Sequence, residues 1–382
     1  MDRWEKDSPV EKGSVSLIPQ DLKWQESVDS VYRRNTPHRL RLKMRFRIIN
    51  TLALSLLCAL CLAACQEESF EGALPGGPPA TPDMPVISEL ALNPGEVPEG
   101  KESLVIGQVP FVGNDLLSKQ YGPINKYLSE VLNFPVETKV GKSYEHLIQM
   151  VENKEVDIVS LPPLSYVLAK EKVPDLHLLA SQLALGSTSY SSYIFVRADH
   201  PAESIHDLAG GTIAFVHEFS TSGFLLPYAA FLEMGIDPDI AFKQKFYGSH
   251  TKVIEAVALG YADAGATGSG MRQAALHDSE VREKIGAVQF RLLYKAGRMP
   301  YDAVCAQGYL SATARKKIGE AFISLNTRTQ QGRQVLGTAI DISGWMPINE
   351  YEYAQTREIL NKVRTHRKKN KMPGVHQAPL AQ

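Results

Sequence analysis

Thr212-Ile213-Ala214-Phe215-Val216 is an apolar run, and Phe219-Ser220-Thr221-Ser222-Gly223 follows almost directly. The first segment reads as a buried strand. From Ser220 a helix is predicted to run to Met234, with Gly235 as its stop signal. A turn between a strand and a helix start gathers free backbone N–H groups and the positive helix end at one point. Three consecutive hydroxyls there would form an anion cradle that needs no full positive charge. Gly223 would let the backbone approach closely. Plain N-capping is the competing reading, because serine and threonine are favoured caps. One cap needs one hydroxyl, and this turn carries three.

Outward from this turn, strand and helix alternate. Strands are expected over 104–109, 135–140, 156–161, 193–197, 242–247, 262–266, 288–294 and 303–307. Helices are expected over 121–132, 144–153, 164–170, 251–259, 312–325 and 350–363. Ser143 is a weak cap, because His146 stands where a capping box has Glu or Gln. The end of the chain, from Arg364, is basic and then proline-containing and reads as frayed. This alternation predicts an α/β fold with mostly parallel sheets. The 382 residues carry a net charge of -1, with 44% hydrophobic and 22% charged residues. That is ordinary for a soluble globular chain with room for two domains of about 150 residues, and it gives no nucleic-acid footprint. The sequence has no solenoid repeat, P-loop, GxGxxG turn or HExxH motif.

The N-terminal region has a different character. Arg39, Arg41, Lys43, Arg45 and Arg47 form a basic run before an apolar stretch over 48–64 that ends in Leu62-Ala63-Ala64-Cys65. A positive segment, a short apolar core and small residues before a cut site make a secretory signal. The Leu-Ala-Ala-Cys sequence resembles a bacterial lipobox, which makes Cys65 the lipidated first residue of the mature protein. A retained transmembrane helix is the alternative, but the apolar core is short for spanning. Residues 1–43 read as an extension upstream of the true start at Met44, and a precursor peptide from that segment would refute this. Residues 44–64 are the expected signal, and 65–100, rich in Pro, Gly, Ala and Glu, an expected flexible tether. Cys58 and Cys61 leave with the signal, so Cys305 remains alone. That excludes an intrachain disulfide and a cysteine-built zinc site.

Four further residues could carry chemistry. His250 precedes a predicted helix and could donate to an oxyanion, although for a lone histidine there a cap or surface role is the favoured reading. Tyr144 and Tyr190 lie at element boundaries, where packing competes with ligand contact. Asp302 precedes a short strand, where most aspartates are turn residues.

Taken together, Gly141-Lys142-Ser143-Tyr144-Glu145, Leu161-Pro162-Pro163-Leu164-Ser165-Tyr166, Ser220-Thr221-Ser222-Gly223, Gly248-Ser249-His250 and the segment Glu255 to Ala264 resemble the phosphate/phosphite/phosphonate periplasmic binding proteins, the PhnD-like family. The resemblance covers about Ser103 to Tyr351. It implies a type II periplasmic binding protein fold: two α/β lobes joined by two crossover strands, with ligand in the cleft. The implied partition is 101–197 for the first part of lobe 1, 198–297 for lobe 2, 298–365 for the rest of lobe 1, and 366–382 as a disordered tail. It implies ligand contacts from Ser220, Thr221, Ser222, His250, Tyr144, Tyr190 and Asp302. Where family members that bind aminoethylphosphonate carry a glutamate for the ammonium group, this chain has Gly270. The resemblance therefore implies phosphate, phosphite or a small alkylphosphonate as ligand. Its partners would be an ABC permease and ATPase, reached by a lipid-anchored monomer on the outer side of a bacterial membrane, with no cofactor and no metal. A sensor subunit with the same lobes, and the same fold with a sulfonate, are alternatives. An enzyme is disfavoured, since Ser222 and His250 lack a GxSxG setting and no nucleophile–base pair is visible.

Overall fold

The computed structural model describes residues 89–337 and 342–372. The chain enters the first lobe through β1 (Leu104–Gln108), α1 (Asn114–Leu132), β2 (Val136–Val140), α2 (Tyr144–Glu152), β3 (Ile158–Leu161), α3 (Pro163–Lys172) and β4 (Leu176–Ala184). It crosses to the second lobe with β5 (Ser189–Arg197), then β6 (Thr212–Phe215), α4 (Leu226–Glu233), α5 (Pro238–Ala241), β7 (Lys243–Phe246) and α6 (His250–Ala258). That lobe is completed by β8 (Ala264–Gly268), α7 (Met271–His277), α8 (Ser279–Ile285) and β9 (Phe290–Pro300). The chain returns through β10 (Ala303–Gln307), α9 (Ala312–Ser324), α10 (Gln330–Leu336), β11 (Ile342–Met346) and α11 (Ala354–Lys369).

The first sheet has the order β11-β4-β10-β3-β1-β2 and the second β7-β6-β8-β5-β9. Residues of β1, β3, β8 and β10 are buried throughout, as expected of strands covered on both faces. The sheets are mixed rather than mostly parallel. β1 pairs parallel with β2 and β3, and β6 with β7 and β8, while β10, β11 and β5 pair antiparallel with their neighbours. The reason is the crossover. β5 and β10 each enter a lobe from the side that faces the other lobe, so they run against the strands that end there.

Several sequence boundaries shift. Residues 189–197, expected with lobe 1, pair with β8 and β9 in the second sheet, so the first crossover falls at 185–188. The expected tether to Gly100 ends earlier. Leu90 and Leu92 are buried in the first lobe's core, Leu92 N–H donates to the Leu132 carbonyl (2.8 Å), and Lys317 pairs with Glu96 (2.9 Å). The tail expected from 366 is helical to Lys369, and Arg367 is buried. The expected signal, Cys65 and the upstream extension lie outside the described residues.

Helix α11 spans both lobes. Near its start, Tyr353 Oη donates to the carbonyl of Tyr301 in the second crossover (3.3 Å). Further on, Arg364 holds Glu171 of α3 with two hydrogen bonds (2.8 and 2.9 Å). Its last turn reaches lobe 2, where Arg367 pairs with Glu218 (3.2 Å) and Asp239 (3.5 Å) and His366 meets Asp237 (3.0 Å).

Candidate functional site

A cleft between the lobes is lined at the C-terminal ends of the parallel strands. Phe111 follows β1, Tyr144 follows β2, Pro162 follows β3, Ser220 follows β6, His250 follows β7, and Gly268 with Ser269 closes β8. The crossovers supply Gln182, Tyr190, Tyr301 and Asp302, and Met271 begins α7. Open α/β sheets place ligands at this end of their strands. Five of the seven expected contacts thus line one cleft: Tyr144, Tyr190, Ser220, His250 and Asp302.

The three hydroxyls of the turn have separate tasks. Ser220 Oγ accepts the Gly223 N–H (3.1 Å), which is the N-cap reading. Thr221 Oγ1 accepts the Leu164 N–H from the opposite lobe (2.8 Å). Ser222 Oγ is buried without a hydrogen bond of good geometry, although it lies near enough to the Tyr190 hydroxyl to lower that group's pKa, and its carbonyl accepts from Ser192 Oγ (2.7 Å). The predicted helix opens as a π-type turn over Thr221–Leu225, with Leu225 N–H donating to the Ser220 carbonyl (3.1 Å). Such wide turns recur at functional sites. Gly223 does permit close approach, but the close neighbour is Val216 of the protein.

His250 is buried at the first position of α6, behind the Ser249 cap. Its backbone N–H donates across the cleft to the Phe111 carbonyl (3.1 Å), and Nδ1 lies 2.8 Å from Thr267 Oγ1. Burial pushes the ring's pKa down to about 4, so the ring is neutral. If Thr267 donates to Nδ1, the proton sits on Nε2, where it can serve an oxyanion.

Asp302 lies between β9 and β10, lines the cleft and is partly exposed. Desolvation pushes its carboxyl up to about 7. Burial also raises the hydroxyls of Tyr121, Tyr144 and Tyr190, and the nearby Asp302 charge raises them further. Tyr144 Oη is buried and unpartnered; Ser220 is near enough to lower its pKa slightly but falls short of hydrogen-bond geometry. Tyr190 stacks on Tyr301, with ring centroids 4.8 Å apart. Among the described residues, no lysine or arginine lines the cleft. Unpartnered hydroxyls, a neutral imidazole and a carboxyl that titrates near neutrality suit an oxyanion that shares a proton with the protein.

Sequence reasoning missed Gln182, Ser269, Tyr301 and His217. Tyr301 adjoins Asp302 and Ser269 adjoins Gly270, but neither residue type carries a signal of its own.

Two lobes joined by two crossover strands around a cleft define the type II periplasmic binding protein fold. Solved structures with this architecture include one of PhnD1 from Prochlorococcus marinus in complex with methylphosphonate (TM-score 0.60, 22% identity, 69% of this chain and 98% of that one). Another is a binding protein component of an ABC phosphonate transporter from Pseudomonas aeruginosa (TM-score 0.63, 22% identity, 72% of this chain and 92% of that one). Residues 106–353 match the family model described as ABC transporter, phosphonate, periplasmic substrate-binding protein, and the chain belongs to that family. A similar curated relative is the phosphate-import protein PhnD of Mycolicibacterium smegmatis, 29% identical over 174 residues, which are 43% of this chain and 54% of that protein. The alignment thus spans about half the length of that relative.

Proposed function

We propose that the cleft binds a small phosphorus oxyanion (phosphate, phosphite or a small alkylphosphonate) and that the protein hands it to an ABC permease and ATPase. The observation that carries this reading is the meeting of Tyr144, Tyr190, Ser220, His250 and Asp302 in one cleft that has no lysine or arginine among the described residues. Relatives described as phosphate-import and phosphite-binding proteins, and a methylphosphonate complex, support the same ligand class. Gly270 lies between the lining residues Ser269 and Met271, in the left-handed region at φ 85°. It supplies no carboxylate for an ammonium group. Phe111 and Met271 offer an apolar wall to a small substituent instead. The protein acts outside the cytoplasmic membrane as a monomer held by lipid on Cys65, which the mass of the mature N-terminal peptide tests.

A thermal-shift screen tests the ligand. At a hundred times its dissociation constant, a true ligand stabilises by about 2.7 kcal/mol. Phosphate, phosphite or methylphosphonate should raise the melting temperature at about pH 8, and sulfate should raise it least. A response to sulfate or aminoethylphosphonate alone would overturn the assignment.

Thr221→Val removes the acceptor for Leu164 N–H across the lobes. The closed form then buries an unpaired donor, so affinity should fall by about 1–3 kcal/mol. Calorimetric titration with phosphate reads this, and an unchanged affinity would remove Thr221 from the binding mechanism.

A further inference from the structure

His217 lies two residues beyond β6 in lobe 2 and is buried, at 7% exposure. Its ring stacks on Tyr144 of lobe 1, with centroids 5.4 Å apart and planes inclined by 16°. Its Nδ1 accepts the Phe219 N–H (3.1 Å), and its carbonyl accepts the Ser220 N–H (2.9 Å). An acceptor role for Nδ1 places the ring proton on Nε2, and Nε2 is buried without a partner. One residue thus touches the cleft tyrosine from one side and fixes two successive amides of the hydroxyl turn from the other. The next residue, Glu218, is held by Arg367 of α11, so the segment cannot slide away from Tyr144 freely.

We propose that His217 is a positioning residue that ties lobe closure to the shape of the oxyanion turn. When the lobes meet, its ring docks on Tyr144 and fixes a tyrosine that lines the cleft. Its Nδ1 holds Phe219, and therefore Ser220, in the same register. A neutral ring is required, because a proton on Nδ1 would face the Phe219 N–H. Burial acts in the same direction and lowers its pKa. This role rests on reading the cleft as the ligand site, whereas the hold on the Phe219 amide does not.

Two variants separate the two halves of the role. His217→Phe keeps a ring for Tyr144 and loses the acceptor. In the ligand-free protein the Phe219 amide should then exchange about tenfold faster, and affinity for phosphate, phosphite or methylphosphonate should fall about tenfold. His217→Asn can keep an acceptor for Phe219 and loses the ring. Phe219 protection should then stay near wild type, while affinity falls about three- to tenfold. Equal Phe219 exchange in wild type and His217→Phe overturns the acceptor half. Wild-type affinity in His217→Asn overturns the docking half. If none of the three anions binds the wild type, the reading of the cleft fails, and amide exchange still decides whether His217 holds the turn.

Discussion

Asp302→Ala should abolish the preference for phosphate over sulfate. Above about pH 7 the wild-type carboxyl is ionised. It then accepts the proton of a monoprotonated phosphorus oxyacid and repels sulfate, which carries none near neutrality. Sulfate can still bind by first protonating the carboxyl, which about one pH unit above its pKa of about 7 costs about 1.4 kcal/mol, so at about pH 8 the preference is worth about tenfold. Below about pH 7 the protonated carboxyl can donate to sulfate, and discrimination should narrow. Competitive titration of phosphate and sulfate on both proteins at about pH 5.5 and about pH 8 reads the effect. An unchanged preference in the variant at the higher pH would refute it. Stability gives an independent check. Because burial raises the folded-state pKa, the folded protein keeps a proton that the unfolded chain releases at the ordinary carboxylate value. That contribution is complete below the ordinary value and is lost as pH rises through about 7. The melting temperature of wild type minus that of the variant, both ligand-free, should therefore fall across this window and level off above it.

Gly223→Ala should be the most damaging small substitution in the turn. A Cβ there would lie 2.3 Å from Val216 Cγ2, 2.6 Å from Val216 Cβ and 2.9 Å from Ser220 Oγ. Val216 is fully buried and is also bonded to the same glycine, its N–H donating to the Gly223 carbonyl (3.1 Å). Neither side can yield without parting the end of β6 from the hydroxyl turn. A loss of about 3 kcal/mol, the upper end for overpacking, is expected in denaturant unfolding, together with loss of phosphate binding. Gly122→Ala in α1 is the control, because a Cβ there meets nothing within 4 Å. It should be neutral or stabilising by up to about 1 kcal/mol. Equal unfolding midpoints for the two variants would sink the packing argument.

The candidate site was legible where chemistry and local pattern coincide. The strand–turn–helix around Ser220 announces itself by its hydroxyls, and His250 by standing before a helix. The division of labour within the turn was not legible, because the partner of Thr221 is Leu164, 57 residues away. His217 was invisible for the same reason, its ring partner Tyr144 being in the other lobe. In the fold, β4 was missed because Leu176, Leu179, Ala180, Leu183 and Ala184 repeat with helical spacing. The strand lies between β10 and β11, and pairing on both edges overrides that pattern. Helix α1 begins at Asn114 and carries Pro123 inside it, whereas the helical spacing of the apolar residues placed its start at Tyr121. His146 proved a working substitute in the cap of α2. Its N–H donates to Ser143 Oγ (3.0 Å), and its Nδ1 accepts from Lys142 N–H (3.2 Å).

Helix α11 bears on how the molecule comes apart. Lobes linked only by two short crossovers could melt one after the other. Here the buried Arg367 needs Glu218 and Asp239 of lobe 2, while the bidentate Arg364–Glu171 pair holds the same helix to lobe 1. If lobe 2 melted alone, Arg367 would lose both carboxylates; if lobe 1 melted alone, the helix would lose its bed on α3. Partial unfolding therefore carries a penalty from either side. That couples the lobes into one cooperative unit with a single melting transition.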